Sequence, residues 1–548
     1  MSLSIPLGYA VLIAIAIVLV VVAISDMMQR RHAILRNFPI VGHLRYWLER
    51  IGPEMRQYIV TNNEEERPFS RDQRRWIYAS AKEANNYYSF GTEHDLERTS
   101  NSIVIRHVAF PLPSPGPGQI GSAPDYELPC AKIVGANHGR RHAYRPRSIV
   151  NISGMSYGSL SAPAVEAMAK GAQLAGCLHN TGEGGLTSFH EHGADLIFQI
   201  GTGYFGVRDE EGRFSLPRLA DLAAQQPIRA IEIKLSQGAK PGHGGVLPAA
   251  KVTPDIARFR GVREGRDCIS PPGHAAFTTV DTMIEFIERI ADETGLPVGI
   301  KVAVGHEAFW EELPRRMREL GGGPDFITID GGEGGTGAAP LVFQDNVSLP
   351  FKIGMARAYS AFAQHDMHER VVFAGSGKLG FPEEALFALA LGCDYINVAR
   401  EAMIAVGCIQ AQICHTNRCP TGVTTQNKWL MRGLDPQSKS ARLANYIVTL
   451  RKELLEISRA CGRVHPALVD PADIEIVNQQ FRSQPVHELF GYELGWGHPG
   501  TEDVALLLEH LGSPSVAASE AGNIWDDRRN MREQMNPRTQ AQPHRDHR

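Results

Sequence analysis

Cysteine is scarce in this chain, with eight residues in 548, no CxxC pair and no framework spacing. That usage excludes a disulfide-stapled scaffold and the common zinc ribbons, and it fits a reducing compartment. An excess of either charge is also missing: 56 Lys and Arg stand against 60 Asp and Glu, a formal net charge of −4. No basic stripe runs along any segment, so no nucleic-acid partner is expected. No repeat recurs at solenoid or propeller periods, and no GxGxxG opens the first helix of the αβ region. Glycine, in contrast, is abundant at 54 residues. Much of it falls in short clusters between apolar runs, where backbone can approach a ligand closely.

Charge is wholly absent from Leu7 to Ile24, LGYAVLIAIAIVLVVVAI. At 1.5 Å per residue this run spans about 27 Å, enough for a bilayer core. Arg30, Arg31 and Arg36 follow it and no Lys or Arg precedes it, which assigns the C-terminal side to the cytoplasm. A cleaved signal peptide would want positive charge before the run and a small-x-small site after it. The expectation is therefore an uncleaved, single-pass anchor in the cytoplasmic membrane over residues 1–25, with the catalytic domain cytoplasmic. Residues 26–147 read as a helical and irregular region, 427–522 as a helical extension, and 523–548, rich in Arg, Asp, Gln and His, as a disordered tail.

Between Ser148 and Gly407, short β-branched runs alternate with helical stretches. The strand candidates are 148–154, 177–182, 194–201, 228–236, 297–305, 325–332, 371–377 and 394–400. Eight βα units in about 260 residues predict an α/β fold, a (β/α)8 TIM barrel, assigned with the loop that follows the last strand to residues 148–426. In such barrels the active site lies at the C-terminal ends of the strands. Those ends carry Ser153 and Met155; Glu183; Gln199; Lys234, Gln237 and Lys240; Lys301; Asp330, Gly331 and Gly332; Gly375, Ser376 and Gly377; and Ala399 and Arg400. Glycines after the seventh and eighth strands predict a phosphate held on backbone N–H groups. Lys301, inside an apolar strand, is expected to face an electron-rich ligand such as a flavin. A structural pair with Asp330 or Glu183 is the alternative.

Three of the eight cysteines fall together, Cys408, Cys414 and Cys419, in GCIQAQICHTNRCPTG. Soft thiolates suit iron, and three close ligands without a fourth suggest a three-iron cluster. Ordinary core thiols at the end of a barrel strand are the alternative reading. A phosphate clamp, a lysine inside the barrel and a thiolate group beyond the eighth strand together suggest FMN beside an iron–sulfur centre.

These stretches resemble the FMN-binding synthase domain of the glutamate synthase family. The resemblance rests on ISGMSYGSLS (152–161), HNTGEGG (179–185), FQIGTGYFGV (198–207), IEIKLSQGAKPGHGG (231–245), ISPPGH (269–274), DGGEGGTGAAP (330–340) and CIQAQICHTNRCPTGVTTQ (408–426). It implies FMN and a 3Fe-4S cluster on Cys408, Cys414 and Cys419, and reduction of 2-iminoglutarate, formed from 2-oxoglutarate and ammonia, to L-glutamate. It also implies that Lys234, Gln237 and Lys240 hold 2-oxoglutarate, that Arg260 grips a substrate carboxylate, and that Glu183 is the acidic residue of the active-site loop. Two features depart from the family. An apolar run opens the chain where the large synthases have a glutaminase domain, and Tyr204 stands where the family usually has arginine. Nitrogen is therefore expected from free ammonia or a separate glutaminase, and electrons from a donor subunit, a ferredoxin or a pyridine-nucleotide reductase. Synthesis of an N-substituted glutamate, or a membrane-tethered electron relay without catalysis, are the alternative functions.

Overall fold

The structure is a computed structural model and describes residues 7–52, 66–87, 91–92, 100–115, 126–480 and 482–511. The expected disordered tail at 523–548 lies outside them. The chain opens with a helix, α1 (Leu7–Met28), whose apolar side chains are largely exposed. Among the described residues it is the one helix long and apolar enough to cross a membrane. Two short helices follow, α2 (Ala33–Asn37) and α3 (Gly42–Arg50). Strand β1 (Ser102–Ile105) then crosses to the far end of the chain, pairing with β12 (Ile474–Val477), which in turn pairs with β13 (Ser483–Pro485). The regions flanking the barrel are thus not only helical, because this three-stranded sheet ties them together.

The eight expected strands form a closed parallel barrel. They are β2 (Val150–Ile152), β3 (His179–Asn180), β4 (Leu196–Ile200), β5 (Ile228–Lys234), β8 (Val298–Val302), β9 (Phe326–Asp330), β10 (Val372–Ser376) and β11 (Tyr395–Val398). Between β5 and β8 the chain makes an excursion containing a small hairpin, β6 (Val246–Leu247) with β7 (Cys268–Ile269), and a helix, Pro254–Arg260. Closure runs through β11 and β2, with Ile396 opposite Val150 and Val398 opposite Ile152. Residues such as Ile231, Ile233, Ile300 and Ile327 are fully buried between sheet and helices, as expected of a parallel sheet covered on its outer face.

The outer helices carry clear start and stop chemistry. Ser161 accepts from the Ala164 amide ahead of Ala162–Ala175, and Gly176 ends that helix at φ 62°. Thr279 and Thr282 form a reciprocal cap on Val280–Thr294, which Gly295 ends at φ 72°. Each cap satisfies orphan backbone groups, and glycine takes the left-handed stop without a Cβ penalty.

Candidate active site

Strand alternation points every second residue of β5 into the barrel. Glu232 is one of these, fully buried. Its carboxylate accepts from Asn180 Nδ2 at 2.7 Å, Gln199 Nε2 at 2.6 Å and Thr328 Oγ1 at 2.7 Å. Three donors from three other strands satisfy a charge that burial would otherwise penalise severely. Gly154 closes this floor: a Cβ there would lie 2.8 Å from both Asn180 Oδ1 and Gln199 Nε2. The sequence reading placed Gln199 at the site but missed Glu232 and Asn180.

One step further along β5, Lys234 stands in register with Lys301 of β8. Each ammonium has its own carboxylate. Lys234 lies 2.9 Å from Glu183 and 3.2 Å from the Gln237 side-chain oxygen, while Lys301 lies 3.5 Å from Asp330. The pair anticipated as the alternative for Lys301 is therefore present. Asp330 also accepts from the Gly238 amide at 2.8 Å. That contact draws the loop after β5 onto the loop after β9, so tightly that a Cβ on Gly238 would sit 1.9 Å from the Gly331 carbonyl oxygen.

Lys240 and Arg260 complete the mouth. Lys240 is buried and donates to the Gly244 carbonyl at 3.1 Å. Burial and the neighbouring Lys234 charge lower its pKa, partly offset by Glu183. Arg260 is buried although its neighbours in sequence are polar. Its guanidinium donates to the Tyr157 carbonyl at 2.9 Å and Ser156 Oγ at 3.3 Å and faces the Phe205 ring at 5.2 Å, while Nε has no partner among the described residues. Burial pushes the Glu183 carboxyl up, but Lys234, Lys240 and Arg260 outweigh it and hold the group below its ordinary value. One ionised carboxylate thus sits among three cations.

Tyr204, where the resemblance leads one to expect arginine, makes its hydrogen bonds to the 271–277 loop. It is buried at φ 49°, and its hydroxyl accepts from the Ala276 amide at 3.1 Å. It also lies 3.3 Å from His274 Nδ1, whose Nε2 donates to the Lys234 carbonyl at 3.0 Å. Tyr204 fastens the 271–277 loop behind the Lys234 side chain.

Opposite this group, Ser153 and Met155 line the end of β2, with the Ser153 amide bonded to the Val398 carbonyl at 3.0 Å. The Gly331 and Gly332 amides are engaged internally, by Ser376 O at 2.7 Å and Leu349 O at 2.8 Å. After β10 the pattern changes. Among the described residues, the amides of Gly377, Lys378 and Leu379 have no protein acceptor. Gly377 (φ 157°) and Lys378 (φ 59°) both take positive φ. Lys378 and Arg400 face the ring of Phe69 at 5.2 and 5.0 Å, and neither has a carboxylate within ion-pair distance among the described residues. Arg400 also donates to the Glu333 carbonyl. Ala399 precedes the helix that Arg400 begins. Free amides beside two partly buried cations suit a phosphate group, and Lys378 was missed because a single lysine after SG carries no periodic signal.

The cysteine loop curls beside this end of the barrel, with Gln410, Gln412 and Asn417 all at positive φ. Cys408 and Cys414 are half-buried and Cys419 buried. Among the described residues, no three His, Cys, Asp or Glu side chains are gathered closely enough to hold a single metal ion. The three thiols still interact electrostatically: burial and the other two sulfurs push Cys408 up to about 12. For Cys419, burial acts upward but hydrogen bonds from Thr421 and Thr424 outweigh it, and its pKa falls. Cys414 packs on Gly337 of the loop after β9, where a Cβ would lie 3.2 Å away. The N-terminal segment closes over the outside: the Phe69 backbone and the Gln410 side chain exchange bonds of 3.0 and 2.9 Å, and Tyr78 OH donates to the Cys408 carbonyl at 2.7 Å.

A closed (β/α)8 barrel with a polar, cation-rich mouth places this chain in the class of barrel enzymes. The family model for the conserved region in glutamate synthase matches residues 132–463, and the chain belongs to the glutamate synthase family, a glutamate synthase-type oxidoreductase. It is 38% identical over 482 residues to the glutamate synthase large subunit-like protein YerD of Bacillus subtilis, covering 82% of this chain and 91% of that one. The archaeal glutamate synthase [NADPH] of Methanocaldococcus jannaschii is 33% identical over 316 residues, 57% of this chain and 59% of its own length. A large subunit-like protein of Rhizobium meliloti is 31% identical over 356 residues, 61% of this chain and 77% of that one. A solved structure of mandelate oxidase aligns at a TM-score of 0.40 with 14% identity, covering 70% of this chain and 87% of its own.

Proposed function

We propose that the chain reduces 2-iminoglutarate, formed from 2-oxoglutarate and ammonia, to L-glutamate, using FMN in the barrel mouth and a 3Fe-4S cluster on Cys408, Cys414 and Cys419. The observation that carries this reading is the group of Lys234, Lys240 and Arg260 around the single carboxylate of Glu183. Three cations to one anion favour a dianionic substrate, and Arg suits a carboxylate in particular. When bound, FMN supplies hydride chemistry and the cluster one-electron transfer.

This chain's own residues divide the work. Gly377, Lys378, Leu379 and Arg400 would hold the FMN phosphate, with Ser153, Met155, Gln199, Gly375 and Ser376 lining the same side. Lys301, backed by Asp330, would face the flavin ring. Lys240 and Arg260 bind the two substrate carboxylates, and Lys234 with Gln237 orients the carbon skeleton. Glu183, ionised, accepts a hydrogen bond from the protonated imine nitrogen and fixes its direction. Most of the gain comes from positioning and electrostatic preorganisation in a buried pocket. Cys408, Cys414 and Cys419, all on the loop beyond β11, would supply the thiolates that hold the cluster.

The exposed apolar α1 supports a single membrane span with the barrel on the cytoplasmic side. Electrons would come from a ferredoxin or a pyridine-nucleotide reductase, and nitrogen from free ammonia or from a glutaminase. Arg260→Ala tests the reading. A synthase loses 2-oxoglutarate binding and turnover while retaining FMN and iron; a pure electron relay passes electrons as before.

A further inference from the structure

Most amphipathic surface helices turn their apolar face inward. Helix α3, Gly42–Arg50, does the reverse. Val41, Leu44, Trp47 and Leu48 are 71, 55, 57 and 44% exposed. At 3.6 residues per turn they fall within an arc of roughly 120°. The opposite side meets the protein: Gly42 packs on Leu35, where a Cβ would lie 3.1 Å from its side chain, and Tyr46 meets the His32 ring edge-on at 4.9 Å. Arg45 and Glu49 pair with each other at 2.6 Å along the flank.

The placement of α3 is fixed by the end of the apolar helix. Buried Asp26, near the C-terminus of α1, accepts from the Ile40 amide at 2.9 Å and lies 2.8 Å from His43 Nε2. Phe38 is exposed beside α3, and Arg30 and Arg31 are exposed between α1 and α2. We infer that α3 is an in-plane membrane-surface helix, its Val41–Leu44–Trp47–Leu48 face seated at the headgroup boundary of an anionic bilayer. Three features of the chain select lipid as the occupant. The face adjoins a helix long enough to span the bilayer, Trp sits on it where indole rings favour the interface, and arginines flank it.

The consequence reaches the cysteine loop. Between α1 and α3, Asn37 donates to the carbonyls of Pro420 at 3.0 Å and Leu430 at 2.8 Å. Trp429 and Arg432 donate back to the carbonyls of Asn37 and Arg36 at 3.1 and 2.9 Å. Pro420 directly follows Cys419. A span alone would leave the barrel free to swivel, whereas a span plus a surface helix holds the exit of the cysteine loop toward the membrane.

The inference rests on reading α1 as a span, and one experiment separates the two. The full-length chain is reconstituted into phosphatidylethanolamine–phosphatidylglycerol vesicles carrying lipids brominated near the headgroup, and wild type is compared with Trp47→Phe. The expected result is flotation with the vesicles and strong quenching of tryptophan emission, the greater part of which disappears in W47F. A chain that floats while W47F and wild type are quenched equally overturns the surface helix alone, and a chain that does not float overturns the span as well. Trp47 emission shielded from both brominated lipid and aqueous iodide assigns the face to a second copy and likewise overturns it.

Discussion

Lys234 and Lys301 stand side by side in register at the mouth of the barrel, yet they end on different carboxylates, Glu183 at 2.9 Å and Asp330 at 3.5 Å. Two adjacent ammonium groups in a buried site repel unless each is neutralised locally. The arrangement divides the mouth in two. The Lys301–Asp330 pair belongs to the barrel wall and the β5 loop. The Lys234–Glu183 pair faces the further cations Lys240 and Arg260.

Glu183→Gln separates positioning from binding. Removing the one negative charge among three cations leaves affinity for 2-oxoglutarate undiminished, while turnover falls by about 10²-fold, the usual scale for a directing proton acceptor. Steady-state kinetics beside equilibrium binding read the split. Because the Glu183 pKa is held below its ordinary value, its stabilising contribution is present above the unfolded carboxylate range, about 4.3. It is lost as pH falls through the lower folded value. The acid limb it contributes is absent from E183Q.

Lys240 gives the opposite limb. Burial and Lys234 lower its pKa, so its positive charge is lost at lower pH than that of an exposed lysine. A bound dianion favours the protonated form, so 2-oxoglutarate binding takes up a proton and weakens as pH rises through the Lys240 value. The dissociation constant measured from pH 7 to 10 should rise in wild type and stay flatter in Lys240→Arg. Parallel curves for the two would remove Lys240 from the substrate grip.

Lys378→Ala and Arg400→Ala each take a cation from the proposed phosphate site. Charge-assisted hydrogen bonds contribute about 1.5–3 kcal/mol, so FMN affinity should fall by about 10- to 100-fold in each. Fluorescence titration of the flavin-free protein reads it. Unchanged affinity in both would place the phosphate elsewhere.

Replacing Cys408, Cys414 or Cys419 singly by serine should abolish iron and acid-labile sulfide while leaving FMN bound. Cys393→Ser, at a buried thiol on the barrel's outer side, should keep both. Iron retained at wild-type levels in all three loop variants would return those cysteines to ordinary core thiols.

Glu232 makes a stability prediction rather than a kinetic one. Glu232→Leu leaves Asn180, Gln199 and Thr328 without their shared acceptor. Each buried unsatisfied donor costs about 1–3 kcal/mol, so the urea midpoint should fall by the equivalent of several kcal/mol.

The barrel was legible because most strands are short apolar runs closed by glycine, and the strand ends include Glu183, Lys234, Lys301 and Asp330, which the structure brings together as two ion pairs. What escaped the sequence depends on contacts between distant positions. Glu232 hides inside IEIK, where alternation shows only that it faces inward, and nothing local announces Asn180 and Thr328 as its donors. Phe69 meets Gln410 across 341 positions, and Asn37 reaches Pro420 across 383. The polar neighbours of Arg260 give no sign of its burial, which comes from contacts with Ser156 and Tyr157 beyond the end of β2. The apolar side of α3 is periodic in either case, and that it faces outward shows only once the direction of the protein is known.

The most direct measurement is product formation by the full-length protein loaded with FMN and cluster, given a low-potential reductant, 2-oxoglutarate and ¹⁵N-ammonium. The account predicts ¹⁵N-labelled L-glutamate, formed at a rate that Arg260→Ala and Glu183→Gln both depress. Flavin reoxidation with no labelled glutamate, in protein shown to hold both cofactors, would contradict it.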